Sequence, residues 1–180
     1  MKKRILMVLM VCVLAASFIY ADNTVVFATV SPFQLQKVDS NWGTSFTSRY
    51  GWGAKAGIRK FTGPVLLGLD LGYNGFIYSA NDYALTTVQL LAKVGGKAVL
   101  SDTADLNGDI GFGVEMDYYK NVFSFYPVVA GSISFSKYVN PDTAVVFGVD
   151  SSLTWPKSED SSFKSYVWDF GFIVGVEFDF

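Results

Sequence analysis

From residue 24 onward, apolar and polar side chains change places at every second position, the period of a β-strand with two unlike faces. The pattern is cleanest at the end of the chain. Tyr166, Trp168, Phe170, Phe172, Val174, Val176, Phe178 and Phe180 form one row, and Ser165, Val167, Asp169, Gly171, Ile173, Gly175, Glu177 and Asp179 form the other. Earlier stretches repeat it. Tyr50, Trp52, Ala54, Ala56 and Ile58 oppose Arg49, Gly51, Gly53, Lys55, Gly57 and Arg59, while Val65, Leu67, Leu69, Leu71 and Tyr73 oppose Leu66, Gly68, Asp70, Gly72 and Asn74. Further strands are predicted over 86–98, 106–118, 127–136 and 145–153. The first strand, Thr24 to Gln36, is ambiguous in facing. Phe27, Phe33 and Leu35 share a phase with Thr29 and Ser31, Val26, Ala28 and Val30 share the other, and Pro32 marks a bulge or irregularity. Turns are read at 61–64, 79–82, 101–104 and 140–142, and polar connections at 37–48, 119–124 and 156–162. The expectation is an all-β chain of about eight antiparallel strands, with no segment left for a helix or a second domain.

The charges decide which face looks outward. Lys55, Asp70, Lys93, Asp109, Glu115, Asp117, Asp150, Asp169 and Glu177 all fall in the phase of Gly, Ser and Asn, and none in the phase of Val, Leu, Ile and Phe. Alternation alone does not separate a soluble barrel from a membrane one, since each has one apolar and one polar face. The polar phase here is crowded with Gly and Ser and poor in the long Lys and Glu chains that solubilise a water-facing surface, which suits a narrow lumen. The apolar phase carries aromatic residues near both strand ends. Tyr50, Trp52, Tyr73, Tyr118, Trp155, Tyr166 and Trp168 lie toward one rim, and Phe135, Phe178 and Phe180 toward the other, as in the girdles of a bilayer-spanning barrel. A charge on the lipid face at midplane costs about 2–4 kcal/mol, so a clean partition carries information. The reading is an eight-stranded antiparallel up-and-down transmembrane β-barrel. The alternative from the same pattern is a secreted soluble barrel that binds a ligand.

The start of the chain agrees with export. Met1-Lys2-Lys3-Arg4 precedes an uncharged apolar run and a small residue, Ala21, which describes a cleaved secretory signal over 1–21 and a barrel over 22–180. Cleavage after Ser17 is a second choice; a retained anchor and a lipid-bearing Cys12 are weaker ones. The whole chain holds 14 basic and 16 acidic residues, net −2. Removing Lys2, Lys3 and Arg4 leaves 11 against 16, or −5, and removes the single cysteine. That excludes a disulfide framework and a basic nucleic-acid surface.

The ending Phe172-Ile173-Val174-Gly175-Val176-Glu177-Phe178-Asp179-Phe180 resembles the C-terminal signal of bacterial outer-membrane proteins. In length and strand count the chain is similar to the small eight-stranded barrels of the OmpX, OmpA-barrel and OmpW kind. The resemblance implies an outer-membrane location in a lipid bilayer. It also implies recognition by the barrel assembly machinery through Phe172, Val174, Val176, Phe178 and Phe180, and loops that meet an extracellular ligand. No stretch remains for a peptidoglycan-binding domain, so the anchoring role of full-length OmpA is not expected. Barrel hydrolases, acyltransferases and proteases of this membrane resemble one another in needing a histidine base, and this chain has no histidine.

Inside, Arg49, Lys55, Arg59 and Lys93 face Asp70, Asp109, Glu115, Asp117, Asp150, Asp169 and Glu177 as a luminal ion-pair network. Centring the turn on Thr62-Gly63 puts Lys55 opposite Asp70, and a turn near Ser101 to Thr103 puts Lys93 beside Asp109. Glu115 and Asp117 share a face two residues apart, a solvated or weakly cation-binding patch before it is a catalytic pair. No cofactor and no dedicated metal site are expected. The functional expectation is a structural or surface-interaction barrel closed by ion pairs. The alternative is a narrow pore or transporter for small solutes, apolar ones included, as in OmpW.

Overall fold

The computed structural model describes residues 24–40, 45–78, 83–119, 122–156 and 165–180. The proposed signal at 1–21 and the connections 41–44, 79–82, 120–121 and 157–164 lie outside them. The elements are β1 (Thr24–Ser40), β2 (Ser45–Thr47), β3 (Tyr50–Thr62), β4 (Val65–Tyr78), β5 (Tyr83–Ser101), β6 (Ala104–Tyr119), β7 (Val122–Asn140), β8 (Thr143–Thr154) and β9 (Ser165–Asp179). Each long strand pairs antiparallel with its sequence neighbour, and β1 closes the ring against β9. The short β2 pairs only with the outer part of β1, Lys37 opposite Thr47, so part of the connection expected at 37–48 is a strand extension. Strands β6 and β7 likewise run on to Tyr119 and from Val122, further than the sequence reading allowed.

Eight strands therefore make one closed up-and-down barrel. Following paired residues once around from Ala98 passes Leu106, Phe135, Phe147, Val174, Val30, Ala54 and Tyr73. It returns to β5 at Val88, ten residues before it left. That stagger fixes strand tilt at roughly 40° and leaves an interior that side chains can fill. Both ends of the strand set meet at one rim, the terminal rim, where the Phe180 amide donates to the Thr24 carbonyl at 2.9 Å. Here β3 turns into β4 at Gly63-Pro64. Gly63 has φ of 60°, and proline cannot follow it into positive φ, so the hairpin is of the II′ type that matches strand twist.

The exterior is apolar. Leu71, Ile110, Phe112, Ile133, Phe147 and Phe172 are exposed, while Asp70, Asp109, Asp150 and Glu177 are buried in the lumen. An apolar belt around a polar interior is the arrangement of a barrel solvated by lipid, and the reverse of a soluble one. The fold is an eight-stranded antiparallel transmembrane β-barrel. The ambiguous facing of β1 resolves at Pro32: Phe27, Thr29 and Ser31 are buried before it, and Gln34 and Gln36 after it. The register shifts between Ser31 and Gln34 against β3 and between Val30 and Phe33 against β9, so a bulge moves the inward set from odd to even numbers.

Candidate functional site: the barrel lumen

Inward-facing strand positions bring two groups of charges into the lumen. Nearer the terminal rim, Arg59 on β3 donates through Nη1 to Glu177 Oε1 at 2.8 Å and lies 3.8 Å from Asp109 through Nη2. Lys93 on β5 contacts Asp109 at 2.6 Å and Asp70 at 3.0 Å. The five form a chain, Glu177–Arg59–Asp109–Lys93–Asp70, and all are at most 6 % exposed. Serines on β7 complete it: Ser132 donates to Asp109 Oδ2 at 2.7 Å and Ser136 to Glu177 Oε2 at 2.7 Å. The Arg59 guanidinium also sits 4.0 Å over the Phe27 ring. Gly57 makes that ring's space, since a Cβ there would lie 2.6 Å from Phe27 Cε1 and 2.5 Å from the Leu69 carbonyl. Below the chain, Val25, Phe61 and Leu66 form a buried apolar cap.

Further from the terminal rim the composition changes. Lys55 on β3 pairs with Asp150 on β8, across the lumen rather than with a strand neighbour. Gln89 donates to both Glu115 and Ser152, and Ser152 donates to Asp169 Oδ2 at 3.2 Å. Asp117 is half-buried on the same face as Glu115. Gln34, Asn74 and Thr87 join across β1, β4 and β5, with Gln34 donating to Asn74 at 3.2 Å and Asn74 to Thr87 at 3.3 Å. Leu91, Val128 and Ala130 are the apolar filling beside them.

Two expectations are corrected. Arg49 is exposed, and it joins no ion pair among the described residues. It sits in the bend between β2 and β3, before strand alternation begins. Lys55 does not face Asp70: the turn lies at Gly63-Pro64, so Lys55 pairs with Gly72 and Gly57 with Asp70. Asp70 finds Lys93 instead. Lys93 does reach Asp109, diagonally, since the register opposes it to Gly111. Of the other residues expected in the lumen, Glu115, Asp150, Asp169 and Glu177 are buried and Asp117 is half-buried. Sequence reasoning passed over the neutral partners Gln34, Gln89, Ser132, Ser136 and Ser152. For Gln89 and Ser152 the signal was present, because each shares the phase of the charges on its strand; Gln34, Ser132 and Ser136 had none, since the charges of their strands, Lys37, Asp39 and Lys137, lie in the opposite phase.

On the outer wall, Tyr50, Trp52, Tyr73, Tyr118, Tyr166 and Trp168 are exposed, as are Phe178 and Phe180 toward the terminal rim; Trp155 is half-buried. The Trp52 and Tyr73 rings lie 5.3 Å apart, and the Trp52 indole crosses Gly75, where a Cβ would stand 2.9 Å from its Nε1. Phe123, assigned to a loop by sequence, and Phe125, left between that loop and the next strand, extend this wall on β7, with Phe123 packed 4.8 Å from Tyr118. Phe172, Val174 and Val176 follow on the same outward row of β9.

No protein-family model matches the chain, and no curated protein does. Among solved structures it is similar to Neisserial surface protein A, with TM-score 0.59 and 14 % identity over 88 % of this chain and 98 % of that one. The fold is that of a small outer-membrane barrel. OprG of Pseudomonas aeruginosa (TM-score 0.47, 11 % identity) covers 88 % of this chain and 97 % of its own. Ail of Yersinia pestis (TM-score 0.45, 12 % identity) covers 88 % of this chain and all, 100 %, of its own.

Proposed function

We propose that the protein is an integral outer-membrane barrel with a structural or surface-interaction role, its lumen closed by ion pairs and hydrogen bonds. The observation that carries this is how little room the lumen keeps around Lys55 and Gln89. The space bounded by Gln34, Lys55, Gln89, Asp150 and Asp169 is about 10 Å³, room for a single water-sized occupant. A buried charge without a partner is costly, and five of the luminal charges sit in one continuous chain of pairs. The loops opposite the terminal rim are then the parts that meet an extracellular ligand. The outward row Phe172, Val174, Val176, Phe178 and Phe180 supplies the assembly signal, after export through a signal cleaved near Ala21. We read no catalytic role: the chain has no histidine to serve as general base. Reconstitution in a planar bilayer tests closure. The expected record is a silent baseline with rare, brief events, and a steady open channel sinks the reading.

The second reading is a lateral route for small apolar solutes. It is favoured by a hollow of about 570 Å³ on the outer wall, lined by Val94, Ile110, Gly131, Ile133, Ser151 and Phe170. Uptake of an apolar solute into vesicles, lost on Gly131→Leu while folding persists, supports this route over the first; unchanged uptake removes it.

A further inference from the structure

The small luminal space has a chemistry of its own. Four of the side chains that line it carry a buried oxygen without a hydrogen-bond partner: Gln34 Oε1, Gln89 Oε1, Asp150 Oδ1 and Asp169 Oδ1. Those residues are 3 %, 1 %, 7 % and 6 % exposed. Asp169 lines the same space, with one carboxylate oxygen already accepting from Ser152. Gly171 contributes an absence, since a Cβ there would stand 2.9 Å from Asp150 Oδ1 and 2.8 Å from Gln34 Cγ. The unpartnered groups that face this space are therefore all acceptors. Buried acceptors of this number call for an occupant that is positive or donates protons.

Charge decides between those two. Asp150 and Asp169 line the space and Glu115 stands behind Gln89, and among the described residues the one ion pair there is Lys55 with Asp150. A water molecule satisfies two acceptors and leaves that excess untouched; a cation answers both demands. Ligand atoms left open that are all oxygens select a hard ion. A divalent ion is disfavoured, because no three acidic groups converge to hold a metal among the described residues. Two amide oxygens, one carboxylate shared with Lys55 and one unshared carboxylate match a single positive charge.

We propose that the space among Gln34, Gln89, Asp150 and Asp169 binds one sodium ion, stripped of most of its water, as part of the folded barrel. The proposal rests on the closed-lumen reading, and the two fail separately. An open channel whose stability still responds to sodium sinks closure alone, and a silent barrel indifferent to sodium sinks the ion site alone.

The test is the heat-dependent unfolding midpoint of the full barrel refolded in detergent, in sodium chloride against choline chloride at equal ionic strength. Choline is too large to enter. Sodium is expected to raise the midpoint by about 2 °C or more. Gly171→Ala, which fills the space without altering charge, and Asp169→Asn are each expected to abolish the difference. Equal midpoints for the parent in both salts overturn the site and leave a water molecule there. A sodium effect that survives in both folded variants overturns it too, by placing the ion elsewhere. Should the variants not fold, crystals of the parent grown with thallium(I) decide: an anomalous peak among the named oxygens supports the site, and its absence overturns it.

Discussion

The two charge clusters of the lumen are built from the same residue types and reach opposite balances. Near the terminal rim, Asp70, Asp109 and Glu177 share Arg59 and Lys93, and every carboxylate touches a cation. Further along, Glu115, Asp117 and Asp169 have no ion pair among the described residues, and only Asp150 meets Lys55. There Gln89 and Ser152 donate where a cation would otherwise stand. The difference teaches that burial alone does not say what a luminal carboxylate is for. In the first cluster it locks strands together across the barrel. In the second it is held by neutral donors, and Asp150 and Asp169 border a small space.

The largest effect expected from breaking this contrast is at Arg59. Arg59→Met leaves Glu177 and Asp109 facing one another without their shared guanidinium, and removing one partner of a buried pair costs about 3–5 kcal/mol. Urea unfolding in lipid vesicles measures it. A loss below about 1 kcal/mol means the chain of pairs does not hold the barrel closed. Next come matched carboxylate neutralisations, one per cluster. Asp109→Asn removes the charge that Lys93 and Ser132 both meet, and bonds to charged groups are worth about 1.5–3 kcal/mol. Glu115→Gln, by relieving an excess of like charge, is expected to change stability by less than about 1 kcal/mol, or to raise it. Equal losses at the two sites erase the distinction between the clusters. Smaller again is Ser136→Ala, which removes a donor to Glu177 at 2.7 Å and is expected to cost about 1 kcal/mol in the same assay.

The frame of this picture was legible in the alternation, because a strand with a side-chain period of two cannot hide which residues share a face. The sorting of Asp70, Lys93, Asp109 and Glu177 onto one face followed from it. Which of them meet did not. Lys55 and Asp150 are far apart in sequence and on strands that are not neighbours, so no hairpin register joins them. The register itself turned on one residue: moving the turn from Thr62-Gly63 to Gly63-Pro64 shifts every β3–β4 pair by two and hands Asp70 from Lys55 to Lys93. Glycine's left-handed freedom at position 63 was the available clue, and proline's fixed φ at 64 completed it. Arg49 failed for a related reason, since periodicity was extended one residue past the start of β3.

The smallest effect is expected at the rim, where a third kind of charge pair stands outside the apolar band. Lys37 and Asp39 lie 2.8 Å apart near the outer end of β1, both about half exposed. The Lys37 ammonium, followed by the Ser45 hydroxyl, holds the Asp39 carboxyl below its usual range. A depressed folded-state value means that any stability from the pair is present above the ordinary carboxylate pKa and is lost as pH falls through the folded value. Water and salt screen such a pair, so Lys37→Ala is expected to leave the unfolding midpoint unchanged within error at pH 7 and at pH 3. A midpoint that drops at pH 7 but not at pH 3 would show that solvent-facing charges of this barrel also hold strands together. Burial would then no longer be what separates the locking pairs around Arg59 from the rest.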